Sequence, residues 1–207
     1  MKNRHVFNRT AAFGISRKSI FASVVSVAVV GIPVLAVAGP SVGLGYSDIG
    51  LSGHAGRPGV TLTVGSLSKE NVAAWGSATY ARGYYNVNAS LGKLLPAGGV
   101  SFTPYVSMGY LNLGSSQPVS LSDSYGMAGV NLNVPIGQRI AILLGGGYGH
   151  TLSEGFGGSG SGSVYKGKAE IGMEVAKHVT ANINVSYLHL PGASLTTEGA
   201  GLSYHFA

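Results

Sequence analysis

The chain has 207 residues, enough for one ordinary domain, and it contains no cysteine. Disulfides, thiol catalysis and a lipid-modified N-terminal cysteine are therefore not expected. The 13 Lys and Arg outnumber the 7 Asp and Glu, for a net charge of +6 with histidine neutral. This basic balance suggests nucleic-acid binding only if the excess charge lies in the folded part of the chain.

Residues 1–38 have the pattern of a cleaved secretory signal peptide. A basic segment up to Lys18 precedes the apolar run 20–35, and the A-x-A sequence 36–38 marks a cleavage site. The modest length of the run and Pro33 within it favour a signal peptide over a membrane helix. Five of the 13 basic residues lie in this segment, leaving 13 − 5 = 8 against 7 acidic residues. No nucleic-acid partner is therefore predicted, and residues 39–207 are predicted to form the exported domain.

The exported segment alternates between apolar and polar or small residues, which is the period of a β-strand. Its glycines disfavour helix interiors, and its tyrosines, valines and threonines favour strands. Ten strands are predicted, with eight as the alternative. They cover 49–55, 60–67, 72–80, 84–91, 100–113, 125–134, 140–152, 165–175, 179–187 and 195–206.

Two positions interrupt this pattern. The alternation of 42–46 resumes in 49–53 with the opposite phase, which predicts a bulge or short loop at Ser47 and Asp48. Pro104 lies inside the fifth strand, although a closed barrel has no edge strand to accommodate proline. The ordered part of that strand is therefore expected to begin at Tyr105.

The predicted fold class is all-β, a small antiparallel transmembrane β-barrel of the bacterial outer membrane. Short turns alternate with longer loops, and several strands are near the ~9–11 residues of a membrane-spanning strand. Apolar rows such as the odd positions from 179 to 185 are predicted to face lipid, with aromatic residues near the interfaces. An exported soluble β-sandwich would alternate in the same way and is the competing fold.

The last strand ends in Tyr204 and Phe206, and such an aromatic ending is typical of outer-membrane barrels. The barrel-assembly machinery is therefore an expected partner, together with outer-membrane lipid and lipopolysaccharide. A monomer with no cofactor is expected.

Four segments resemble those of the YfaZ-like outer-membrane proteins. They are the opening segment IGLSGHAG (49–56), LNVPIG (132–137), INVSYL (183–188) and the closing GAGLSYHF (199–206). The resemblance follows most of the exported chain in order and spacing. It implies a ten-stranded outer-membrane protein of Gram-negative type, and it carries over no catalytic residue.

The cluster in the sequence that most resembles a catalytic site consists of His189, Ser194 and Glu198. The set is similar to that of outer-membrane lipid A deacylases, in which a serine nucleophile, a histidine base and an acidic residue lie near the C-terminus. In those enzymes the serine follows the histidine by two positions, whereas position 191 here is proline. The three are weak catalytic candidates, and the favoured account is that they are polar residues of a loop and an interface.

Lys166, Lys168, Glu170 and Glu174 alternate on one face of the eighth strand, the predicted lumen face. Because charge facing lipid is costly, they are predicted to form an ion-pair network that plugs the barrel. A selectivity element in a narrow channel is the alternative. No metal site is predicted, because the histidines of the exported segment are scattered, without H-x-H or H-x-x-x-H spacing.

These patterns predict a non-enzymatic barrel of structural or surface-interaction type. A narrow porin-like channel for small solutes and a lipid A-modifying hydrolase are the alternatives. A ten-stranded barrel is narrow and largely filled by side chains, which disfavours a wide pore.

Overall fold

The computed structural model describes residues 39–51, 56–114, 121–152 and 161–206. The predicted signal peptide 1–38 and His54 lie outside these ranges. Within them, no helix has the length and apolar character needed to cross a membrane.

The described residues form one antiparallel sheet of eleven strands. They are β1 (Gly39–Leu51), β2 (Arg57–Leu67), β3 (Val72–Ala81), β4 (Tyr84–Lys93), β5 (Leu95–Ala97), β6 (Val100–Leu113), β7 (Leu121–Ile136), β8 (Ile140–Thr151), β9 (Ser163–Ala176), β10 (Val179–Leu190) and β11 (Ala193–His205). The sheet closes because β1 pairs with β11 and β4 pairs with β6, while the short β5 pairs with β6 beside the ring. The predicted ten-stranded antiparallel barrel is confirmed, and the sandwich and the eight-stranded alternative are wrong.

The strand registers define how the ring is staggered. Starting at Gly39 and stepping once across every ladder through paired residues leads back to β1 at Leu51, twelve positions further along. With a rise of about 3.3 Å per residue and strands about 4.8 Å apart, this stagger corresponds to a strand tilt of roughly 40°. Such a tilt is normal for transmembrane barrels.

The prediction for the first strand was wrong. β1 runs from Gly39 to Leu51 without a bulge, since its registers with β2 and β11 stay constant through Ser47 and Asp48. Val42 and Leu44 face outward, whereas Ile49 and Leu51 are buried inside the barrel. The reversed phase therefore reflects a change of environment along one regular strand.

Pro104 also lies inside a continuous strand, contrary to prediction. β6 pairs with β7 through Pro104, which is opposite Val130. On its other side the partner changes from β5 to β4, and the pairing with β4 ends at Tyr105 opposite Gly92. The Pro104 carbonyl lies on this side, beside Gly92. Proline has no backbone N–H donor, and this missing donor lies where the partner of β6 changes from β5 to β4.

The outer surface has an apolar band between two levels of aromatic residues. Seven tyrosines lie on the outward face toward the loop end: Tyr46, Tyr80, Tyr85, Tyr110, Tyr148, Tyr165 and Tyr187. We call these seven the tyrosine belt. Phe102, Tyr204 and Phe206 are exposed near the turn end. The eight residue steps from Val179 to Tyr187 correspond to roughly 20 Å along the barrel axis, close to the height of a lipid-facing band.

Beyond the belt, the apolar residues turn inward. We call this group the loop-end cluster; it comprises Ile49, Leu51, Ala81, Tyr84, Leu111, Leu113, Leu121, Tyr125, Met127, Val164, Leu188, Leu190, Ala193 and Leu195. Leu111, Val164 and Leu190 have 0% of their surface exposed. The barrel thus has its hydrophobic core at one end of the lumen.

Candidate functional site

The lumen below the loop-end cluster is lined by polar side chains from every part of the ring. Inward-facing positions alternate with lipid-facing ones, so the small polar residue of each pair comes to line the interior. A chain of hydroxyl groups crosses three strands, with 2.7 Å between Ser47 and Thr61 and 2.9 Å between Thr61 and Thr79. The Asn88 amide donates to the Ser77 hydroxyl at 2.6 Å.

The charged side chains of β9 all lie on its inward face. Lys168 Nζ is 2.6 Å from Glu170 Oε2, and the other carboxylate oxygen of Glu170 accepts a hydrogen bond from Asn182 at 3.0 Å. Lys166 lies two residues closer to the loop end. Glu174 lies four residues from Glu170 at the turn end, so the four residues do not form a single network.

Two cavities adjoin the lysines of β9. One, of about 50 Å³, reaches from Lys166 and Lys168 toward β1 to β4 and β11. The other, of about 30 Å³, lies between the same lysines and the pair formed by Trp75 and Tyr105, whose ring centroids are 5.5 Å apart. Both are small enough that a few water molecules would fill them.

The inward glycines of β7 and β8 make room for Tyr105. A side chain at Gly147 would come within 2.8 Å of the Tyr105 hydroxyl, which donates a long hydrogen bond to the Gly146 carbonyl at 3.4 Å. The run 145–149 is thus a strand segment against which an aromatic residue packs.

His189 and Ser194 meet on the outer surface of the barrel, above the tyrosine belt. They are paired across β10 and β11, and His189 Nδ1 lies 2.8 Å from Ser194 Oγ. The Tyr187 hydroxyl donates to Ser194 Oγ at 3.0 Å. In the tautomer with Nδ1 unprotonated, Ser194 Oγ donates to Nδ1. Tyr165 stacks on the imidazole with 4.4 Å between ring centroids.

Glu198 does not join this pair. It lies four residues further along β11, roughly 13 Å from Ser194 at 3.3 Å per residue, and it is exposed on the outer face directly opposite Asp48 of β1. The arrangement is therefore a histidine–serine pair supported by tyrosines, without the acidic member of the expected triad.

The sequence interpretation missed the tyrosines around this pair and the loop-end cluster. Aromatic residues are predicted near the interfaces in general, and the outward phase that Tyr165 and Tyr187 share with His189 is not used in that prediction. The sequence does contain a signal for the cluster. In six strands the apolar residues change between the outward and the inward face along the strand, namely in β1, β6, β7, β9, β10 and β11.

His150 and His189 lie near the loop end, and His178 and His205 near the turn end. No group of three or more His, Cys, Asp or Glu among the described residues is arranged to hold a metal ion.

Comparison with known proteins finds similar architecture in solved outer-membrane barrels. The translocator domain of the autotransporter NalP from Neisseria meningitidis is 12% identical, with 82% of this chain and 89% of that chain covered and a TM-score of 0.45. The KdgM porin is 11% identical, with 81% and 99% covered and a TM-score of 0.44. Ail of Yersinia pestis is 17% identical, with 82% and 100% covered and a TM-score of 0.36.

No family model and no curated protein sequence matches this chain. The likenesses concern strand architecture, and no activity of these neighbours is carried over. Membership of the YfaZ-like proteins stays a prediction.

Proposed function

We propose that this chain is an outer-membrane β-barrel of a Gram-negative bacterium that acts through its outward surface and does not conduct solutes. The observation that carries this proposal is the burial of the loop-end cluster. A water-filled passage at this level would wet the side chains that line it. Leu111, Val164 and Leu190, from three separate strands, have no exposed surface.

The lower lumen supports the same conclusion. An ion pair, an aromatic pair and a chain of hydroxyl groups occupy the space below the cluster, and the two cavities beside the lysines measure about 30 and 50 Å³. A selectivity element needs a continuous aqueous path past its charged groups. The charged residues of β9 therefore favour a plugging role.

The outer surface is where contact with other molecules is available. The tyrosine belt carries hydroxyl groups at the level of the lipid headgroups, and the loop between β8 and β9 is rich in glycine and serine. Outer-leaflet lipopolysaccharide is the proposed partner of this surface, and the chain is proposed to work as a monomer.

Planar-bilayer recording tests the closed lumen. We expect the refolded chain 39–207 to insert without discrete current steps, whereas a porin inserted under the same conditions gives them. Reproducible unitary steps that scale with salt concentration would replace this proposal with that of a narrow channel.

A second candidate function, lipid A hydrolysis, is favoured by the 2.8 Å contact between His189 and Ser194. Both residues face outward just beyond the lipid-facing band, where the ester-linked acyl chains of lipid A enter the membrane. His189 would take the Ser194 proton as Ser194 Oγ attacks the ester carbonyl. The proton would pass to the departing alcohol, and water would then release the fatty acid from the acyl-enzyme.

Mass spectrometry of lipid A tests this candidate. Cells producing the protein should contain lipid A in which one acyl group is replaced by hydrogen, leaving a free hydroxyl at the cleaved ester. Ser194→Ala and His189→Ala should each abolish the change, whereas Thr196→Ala, the next outward residue of β11, should preserve it. Identical lipid A with and without the protein would eliminate this function and leave the non-conducting barrel untouched.

A further inference from the structure

We infer that the lumen binds a small inorganic anion of chloride size beside Lys166. The first argument is the charge balance at this level of the barrel. Lys166 and Lys168 both face inward, and Glu170 is the carboxylate beside them. Glu170 is engaged by Lys168 at 2.6 Å and by Asn182 at 3.0 Å. Two cations therefore share one carboxylate.

Lys166 has no carboxylate partner among the described residues. The other inward-facing acidic groups on the strands are Glu174, eight residues further along β9, and Asp123 of β7, whose carboxylate oxygens have no hydrogen-bond partner in the described structure. The half-buried Lys166 ammonium is thus partly shielded from water without a protein counter-charge, which is unfavourable. A bound anion would offset that cost.

The space available suits such an ion. The 50 Å³ cavity and the 30 Å³ cavity are both lined by Lys166 and Lys168, and neither is lined by a carboxylate. One water-sized occupant needs about 10–15 Å³. The larger cavity can therefore hold a halide ion together with water, and it is too small for an organic acid of several carbons.

The remaining lining of the larger cavity is mostly polar. It includes the hydroxyl-bearing residues Thr79 and Ser186. Hydroxyl groups and an uncompensated ammonium are groups by which proteins hold halide ions.

Bromide locates the site directly, since it replaces chloride and scatters anomalously. Crystals of the refolded chain 39–207 grown in sodium bromide should show an anomalous peak in the lumen within about 3.5 Å of Lys166 Nζ. A lumen without such a peak, with bromide seen at surface sites alone, would overturn the inference.

Thermal unfolding in detergent provides the solution test. At fixed ionic strength, the unfolding temperature should be a few degrees higher in sodium chloride than in sodium gluconate, whose anion is too large for the cavity. Lys166→Met should abolish this difference, whereas Lys177→Met, in the exposed turn before β10, should retain it. Equal unfolding temperatures of the unsubstituted protein in the two salts would contradict anion binding. That comparison does not depend on whether Lys166→Met folds.

Discussion

The eleven tyrosines divide between two environments, according to the face and the height at which each lies. The seven of the tyrosine belt and Tyr204 near the turn end face outward, where an amphipathic ring suits the lipid interface. Tyr84, Tyr105 and Tyr125 face inward and fill space in the lumen. Inward glycines accommodate two of these rings, because a side chain at Gly109 would overlap Tyr125 and one at Gly147 would approach Tyr105.

Gly109→Ala tests this packing. The new methyl group would overlap the ring of Tyr125, which lies in the loop-end cluster and has little room to move. We expect a loss of about 1–3 kcal/mol in the free energy of unfolding, the usual cost of overpacking, measured by urea titration of the refolded barrel. Gly167→Ala is the control, since a Cβ there meets nothing within 4 Å. Equal stability of the two variants would contradict the proposed contact.

Single strands of this barrel pass through two environments. In β10 the apolar residues Ile183 and Val185 face outward, whereas Leu188 and Leu190 face inward. The strand stays regular across this change. Its apolar residues switch faces because the surroundings of the outer face change from lipid to water while the lumen becomes apolar. The same reversal within β1 is the change of phase from which the sequence predicted a bulge.

β11 closes the ring against β1, and Phe206 follows its last residue. Tyr204 and Phe206 are in edge-to-face contact with ring centroids 5.0 Å apart. The Phe206 amide donates to the Pro40 carbonyl at 2.9 Å, so the chain end stays aligned with β1. The proposed contact with the barrel-assembly machinery would use this exposed pair of rings.

Phe206→Ala distinguishes recognition from stability. We expect several-fold less folded protein in the outer membrane of producing cells, with unchanged refolding of the purified chain in detergent. Phe102→Ala is the matched control, since Phe102 is 40% exposed near the same end and Phe206 is 45% exposed. Equal amounts of the two variants in the membrane would argue against recognition through the terminal aromatic residue.

At the scale of the whole molecule, closure determines stability. Each barrel strand has a hydrogen-bonded neighbour on both sides, which satisfies the backbone in lipid and leaves no open edge in the described ring. Unfolding must therefore break several ladders together, and detergent alone is not expected to open the ring.

Heat-modifiability tests this closure. The refolded chain 39–207 should migrate faster on a gel before boiling than after it, because detergent binds the compact barrel differently from the unfolded chain. Identical mobility, together with solubility in plain buffer, would indicate a protein that does not live in a membrane.

The sequence by itself determined the class of fold and nine of the ten barrel strands to within a few residues. Period-two alternation and turn residues are local signals, and a lipid-facing strand must carry them at every second position. The same alternation predicted that the charged residues of β9 face inward. It also predicted that the apolar row of β10 faces outward.

Only the tertiary structure decided how these faces combine. The height of each residue depends on the tilt and stagger of the closed ring, which no single strand specifies. That geometry joins His189 to Ser194 across one ladder and leaves Glu198 opposite Asp48. It also gathers the reversed segments of six strands into one apolar cluster at the loop end of the lumen. Such contacts arise between positions far apart in sequence, so they appear only when the ring is complete.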